Sequence, residues 1–373
     1  MKRKKKFNII TLIILISIVG GVIYLVYINK DPNKVIKHSD YSSVALGNIS
    51  SDELKETVTS KEYSKTVEVA LTNKTFVASN IDTYYAVSYK NEADFIENIN
   101  NLATLGYKTT DITTIFGKFN ASDIKILCDT KYISDITEYL KFDYFILSNL
   151  NRYLDYKVKN NYDYEKTITY VNSNLDYDFY DPNIIKSSNN PESELVLVNK
   201  YTRIDRDYAP ALVTLSKNYS LKTLQVTNNT KTAFEKMCDD ASKENLTIKA
   251  ASTYRTYDYQ NTLYTNYVTT DSKENADTYS ARPGHSEHHT GLALDISNVS
   301  LPYSDFGSTK EYEWVTKNAH LYGFIVRYPE GKTSITGYIY EPWHIRYVGI
   351  DVATYIYTND ITFDEYYARF LTK

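Results

Sequence analysis

Two short segments near the C-terminal end constrain this chain more than any other feature. Each alternates side chains in the two-residue rhythm of a strand while collecting polar groups on one face. In Gly291-Leu292-Ala293-Leu294-Asp295-Ile296, Leu292, Leu294 and Ile296 share one face, and Ala293 and Asp295 share the other. In Glu341-Pro342-Trp343-His344-Ile345-Arg346-Tyr347-Val348-Gly349, Trp343, Ile345 and Tyr347 oppose His344 and Arg346. A sheet containing both strands has a hydrocarbon face and a face free for chemistry. Gly291 predicts a turn just before the first strand, which brings His288 back over the face that carries Asp295.

Five of the six histidines lie in this part of the chain, and four of them, His285, His288, His289 and His344, fall in or just before these two segments. With only Cys128 and Cys238 present, no disulfide framework or thiolate cluster is available, so a metal must be held by nitrogen and oxygen. Two imidazoles and one carboxylate, His288, Asp295 and His344, leave one position of tetrahedral Zn2+ open, the arrangement of a catalytic site. Glu341 is then the base candidate, placed to take a proton from water and deliver it to a leaving amine. Pro342 argues against a continuous helix between Glu341 and His344, so this is not the helical H-E-x-x-H arrangement. His285 and His289 have no matching position in the alternating strand and are expected as solvent-facing neighbours.

The other end of the chain predicts an address. Five basic residues, Lys2 to Lys6, precede the uncharged run Ile9 to Ile28, which is long enough to cross a bilayer core of about 30 Å as a helix. Flanking Lys and Arg hold that end in the cytoplasm. The run is too long for a signal peptide and no small-x-small site follows it, so an uncleaved single-pass anchor is expected, with the C-terminal bulk outside. The formal net charge of −4 argues against nucleic acid as a partner. The expected organisation is a cytoplasmic tail over 1–7, an anchor over 8–28, a helical module with linker over 29–190 and a chemical domain over 191–373.

Within the module, Thr110-Asp111-Ile112, Ser122-Asp123-Ile124 and Ser134-Asp135-Ile136 recur every twelve residues and predict three short helices, each with Thr110, Ser122 or Ser134 as its N-cap and an acidic first turn. Cys128 falls in the second of them as a small buried hydrophobe. A packed spacer accounts for this echo, and a partner of the module stays unknown. The polar stretch Lys186–Ser193 reads as the linker. Beyond it, strands are expected at Glu194–Val198, Thr247–Ser252, Leu292–Ser297, Ile325–Tyr328 and Trp343–Val348, with a helix from Ala233 to Glu244 that carries Cys238. Strands and helices without regular βαβ alternation indicate an α+β domain.

The run Ser286-x-His288-x-x-Gly291-x-Ala293-x-Asp295 followed by Glu341-x-x-His344 resembles the two-part signature of VanY-type D-alanyl-D-alanine carboxypeptidases. The likeness extends through Ser252–Gln260, Ala281–Gly284 and Tyr322–Pro329 and covers roughly residues 195–373. It implies the fold of the lysostaphin, D-Ala-D-Ala metallopeptidase and hedgehog group, a central, mainly antiparallel sheet flanked by helices. It further implies His288, Asp295 and His344 as zinc ligands, Glu341 as general base and Arg255 as the oxyanion-stabilising arginine. Gln260 and Ser286 match positions that line the substrate pocket, and His289 stands where relatives often carry Gln. The activity implied is removal of the terminal D-Ala from peptidoglycan stem peptides by a membrane protein facing the outside of a bacterial cell. Relatives with the same ligands act as L,D-carboxypeptidases, D,D-dipeptidases or endopeptidases, and a non-catalytic wall-binding protein is the reading of another class.

Overall fold

A computed structural model of the chain describes residues 40–299 and 303–372. The basic tail and the apolar run Ile9–Ile28 lie outside the described residues, and among the described residues no helix is long and apolar enough to cross a membrane. The chain divides into two compact units, one reaching to Asn91 and including Phe95–Asn100, the other comprising Glu92–Asp94 and Asn101–Lys373.

The first unit is built from short helices, among them Ser43–Gly47, Asp52–Ser60 and Lys65–Thr72. Ser42, Ser51 and Ser64 start them, each hydroxyl accepting from the backbone N–H three residues on and so satisfying a donor that the helix leaves orphaned. Their inward faces bury Val58, Val67, Ala70 and Leu71.

In the second unit the twelve-residue echo is a packing repeat. Helices Thr109–Lys118, Ala121–Cys128 and Ile136–Tyr139 carry it, and Ile112, Ile124 and Ile136 are all buried. The caps differ from those expected. Asn120 rather than Ser122 starts the second helix, its side chain accepting from the Asp123 N–H, and Asp111 accepts from the Lys108 N–H at the first. Cys128 is half-buried. The helix Tyr164–Asn172 packs on the C-terminal helix Phe363–Phe370, with Asn172 Nδ2 3.3 Å from the Ala368 carbonyl and Arg369 Nη1 2.8 Å from Glu165 Oε1. Lys186–Ser187 pairs in parallel with Thr202–Arg203. The stretch expected as a linker is therefore inside a compact unit that begins near residue 101, because long-range contacts invisible in local composition bridge it.

The unit's main sheet has four strands, β1 (Lys249–Ser252), β2 (Ala293–Ser297), β3 (Phe324–Tyr328) and β4 (Glu341–Tyr347), in the order β1-β2-β4-β3 with every neighbour antiparallel. This is the α+β architecture expected from the sequence. One face buries Leu294, Ile296, Phe324 and Ile345 against helix α1 (Asn228–Ser242) and helix α2 (Lys310–Asn318). The rings of Phe234 and Phe324 meet edge to face at 6.2 Å, and Cys238 is buried on the same helix. Each such side chain contributes about 1.5–3 kcal/mol by leaving water. The other face meets the C-terminal helices α3 (Ile350–Asn359) and α4 (Phe363–Phe370) through Ile325, Val348, Ile356 and Phe363.

Glu194–Val198 is not a strand. Val196, Leu197 and Val198 are buried, but the segment joins no ladder. The Arg346 guanidinium instead donates to the Glu194 and Val196 carbonyls, each at 2.9 Å, so a side chain satisfies backbone groups that a neighbouring strand would otherwise have to meet.

Candidate active site

The register of β2 against β4 makes Asp295 and His344 direct cross-strand partners, which places their side chains together on one face of the sheet. His288 arrives from a one-turn 3-10 helix, Glu287–Thr290, that ends at Gly291 with φ of 72°. A Cβ at Gly291 would lie 2.8 Å from Leu212 Cδ2, so both the left-handed backbone and the close packing require glycine there. Donor atoms of His288, Asp295 and His344 all lie within 4.8 Å of one another, and all three residues are buried. His288 Nδ1 is 2.7 Å from the Thr253 carbonyl, to which it must donate, so Nε2 keeps the lone pair and faces Asp295 Oδ1 at 3.3 Å. His344 presents the opposite nitrogen, with Nδ1 3.3 Å from the same Oδ1. Glu341 opens β4, and its Oε2 lies 3.8 Å from His344 Nδ1.

Arg255 Nη2 donates to Asp295 Oδ2 at 2.5 Å and to Ser252 Oγ at 3.0 Å. The arginine is therefore at the site, seated on the outer oxygen of Asp295 while the inner oxygen faces the two imidazoles.

These contacts order the proton affinities. Burial would raise the Asp295 carboxyl, but His288 and Arg255 beside it hold it well below the usual carboxylate range. Burial, followed by the Arg255 charge, pushes His288 down to about 4, so its imidazole is neutral and able to ligate. Burial opposes charge on His344 too, yet hydrogen bonds toward Asp295 and Glu287, with Glu341 nearby, push it up to about 9. Glu341 is pushed up to about 8, chiefly by burial, with Asp295 adding to the effect. Arg255, Arg327 and Arg346 balance the Asp295 and Glu287 carboxylates, so His344 would ligate only on releasing the proton that these neighbours favour, and metal binding there would be coupled to proton release. Two neutral imidazole nitrogens and a carboxylate are borderline donors suited to Zn2+, and they leave a coordination position open.

The donors open into a cavity of about 410 Å³ whose walls include Tyr259, Tyr267, Tyr303, Tyr328 and Trp343. Gln260 and Ser286 line it. Gln260 Nε2 donates to the Ala281 carbonyl at 2.8 Å, and its buried Oε1 has no hydrogen-bond partner among the described residues.

His285 and His289 are not solvent-facing. His285 Nδ1 is 2.7 Å from the Asn199 carbonyl and its ring packs edge-on to Tyr180, while His289 Nε2 is 3.0 Å from the Tyr208 carbonyl. Both are buried because they lie on or beside a turn that is itself inside the fold, where failure to match strand alternation carries no information about exposure. Arg282 pairs with Asp277. The residue that sequence reasoning missed is Glu287, fully buried between Arg327, Arg346 and His344. Its one legible signal was an acidic side chain directly before a predicted ligand.

Residues 223–350 match the VanY D-alanyl-D-alanine carboxypeptidase family. The carboxypeptidase-type protein YodJ of Bacillus subtilis (strain 168) is 40% identical over 193 residues, 50% of this chain and 71% of that protein. Among solved structures, the LD-carboxypeptidase LdcB is 40% identical, covering 50% of this chain and 90% of that one, with a TM-score of 0.48. A vancomycin-resistance D,D-pentapeptidase VanY in complex with Zn(II) is 34% identical, covering 46% and 98%, with a TM-score of 0.42.

Proposed function

This chain belongs to the VanY family of D-alanyl-D-alanine carboxypeptidases, and we propose that it removes the terminal D-Ala from peptidoglycan stem peptides as a zinc metallopeptidase held at the outer side of a bacterial membrane. The observation that carries this reading is that Glu341, the His288–Asp295–His344 donors and Arg255 all line one cavity, with Glu341 3.8 Å from a ligand imidazole. Bound Zn2+ supplies Lewis-acid polarisation of the scissile carbonyl and of the attacking water. Glu341 takes the proton of that water and returns it to the leaving amine, a task suited to a carboxyl whose proton affinity burial has brought near neutrality. Arg255 keeps a permanent positive charge beside the position where negative charge develops. Gln260 Oε1 and the Ser286 hydroxyl orient the peptide against the aromatic wall. The uncharged run Ile9–Ile28 behind five basic residues supports the anchor and the outward orientation.

The test uses the full chain in detergent with zinc, incubated with pentapeptide and tetrapeptide stems beside Glu341→Gln, with released alanine followed by mass. Alanine from the pentapeptide alone, absent in the variant, is the expected result. Alanine from the tetrapeptide alone would make it an L,D-carboxypeptidase, and release of a dipeptide a D,D-dipeptidase. Stem-peptide binding that persists unchanged in Glu341→Gln, without any release by the wild type, would make it a wall-binding protein.

A further inference from the structure

We propose that Glu287 is a positioning residue for the ligand His344, its buried carboxylate accepting the Nε2–H of that imidazole so that Nδ1 is the nitrogen turned to the metal. This rests on the reading of His344 as a ligand. The Glu287 side chain is wholly excluded from solvent. Its Oε1 accepts from Arg327 Nε at 2.7 Å and from Arg346 Nη1 at 2.9 Å. Its Oε2 lies 3.5 Å from His344 Nε2, and among the described residues neither of these two buried atoms has a conventional hydrogen-bond partner. An imidazole N–H turned to that carboxylate oxygen would satisfy both atoms. On the far side of the ring, Nδ1 faces Asp295 Oδ1 at 3.3 Å, so the ring has one edge closed by Glu287 and one edge open to the metal position.

The two arginines fix Glu287 in turn. Arg346 also holds the Glu194 and Val196 carbonyls at 2.9 Å, and Arg327 also holds Asp364 at 2.6 Å. With Oε1 occupied by two immobile guanidinium donors, the carboxylate cannot swing round to become a ligand itself. His288 is oriented by a different device, the Thr253 carbonyl on its Nδ1. The two imidazoles therefore ligate through opposite nitrogens, and each tautomer is set by a fixed acceptor behind the ring. In Glu287→Gln the arginine donors retain the amide oxygen and turn the NH2 toward His344 Nε2. That favours a lone pair on Nε2 and a proton on Nδ1, where it competes with the metal.

Zinc affinity of the full chain, measured by competition with a chromogenic chelator, is expected to fall about 10–100-fold in Glu287→Gln. A folded variant with wild-type affinity would overturn the proposal. His344→Ala in the same assay separates the two claims. If it too binds zinc as the wild type does, the ligand reading fails, and if it loses zinc while Glu287→Gln does not, only the role of Glu287 fails. Should Glu287→Gln not fold, the imidazole 15N spectrum of the zinc-loaded wild type decides. A protonated Nε2 and a metal-bound Nδ1 on His344 are expected, and the reverse assignment would refute the role.

Discussion

One face of the four-stranded sheet presses Leu294, Ile296, Phe324 and Ile345 against Phe234 and its helix, while the other buries Asp295, His344, Arg327 and Arg346 just as deeply. The hydrocarbon face is held by area and fit, so its losses scale with the volume removed. Beside the apolar contacts of Ile325 and Phe363, the polar groups of the other face are held by pairing, so their losses depend on which partner is left alone. The chain thereby separates what keeps the sheet folded from what the sheet is used for. A substitution on one face should show in stability and on the other in metal binding or turnover.

The largest effect that tests this separation is Glu341→Gln. With Glu341 as the general base of the proposed mechanism, its loss lowers turnover about 10²–10⁴-fold. Because burial pushes Glu341 up to about 8, the metal-free protein carries it protonated at neutral pH, and glutamine copies that form. The thermal midpoint and zinc content are expected to stay at wild-type values at pH 7. A drop in the midpoint of the metal-free variant would mean that the carboxyl also supports the fold. Next in size is Phe234→Ala, on the opposite face. Deleting a fully buried ring costs about 3–5 kcal/mol in urea unfolding. The fraction that stays folded at low temperature should still bind one zinc with unchanged affinity, and loss of zinc affinity in that fraction would break the independence of the two faces.

This division also explains what could be read in advance. Asp295 and His344 were legible because alternation along a strand leaves each side chain only two faces, and Leu294, Ile296 and Ile345 claim one of them. His288 was legible because Gly291 marks the turn that folds it over. Glu287 was not, because its role is created by Arg327 and Arg346, which arrive from two other strands. The apolar run Glu194–Val198 was misread for a related reason, since its carbonyls are met by the Arg346 side chain and not by a neighbouring strand. The contacts of Asn172 with Ala368 and of Glu165 with Arg369 join segments nearly two hundred residues apart, and no local run of polar residues reports on them. Periodicity conveys which face a residue occupies, whereas pairing between distant elements is a property of the assembled fold.

The smallest of these effects concerns a buried cation that lacks what Arg327 has. Arg327 lies between two carboxylates, Glu287 and Asp364, and against the cost of burial they hold its proton affinity well above normal. Lys200 is 3% exposed, and its Nζ donates to the Asp277 carbonyl and lies 4.4 Å from the Tyr338 ring centre and 5.0 Å from that of Tyr180. Gly337, with φ of 77°, makes room for it, since a Cβ there would sit 2.5 Å from Lys200 Cε. A carbonyl and aromatic faces do not replace lost water as a directly paired carboxylate does, and burial, only partly opposed by the Asp277 charge, pushes Lys200 down to about 8 from 10.5. Between those two values the unfolded chain binds a proton that the folded chain does not, so this group makes stability rise with pH across the window. Below pH 8 the full cost of the buried charge is present, and above 10.5 it is gone. Relative to Lys200→Met, in which the hydrocarbon stem is kept and the charge removed, the wild type should gain at most about 3 kcal/mol between pH 7 and pH 10.5. Urea unfolding of both proteins at several pH values reads the difference, in which titrations common to both cancel. A flat difference would show that the Asp277 carbonyl, the aromatic faces and the more distant Asp277 charge together stabilise the lysine as well as two directly paired carboxylates stabilise Arg327.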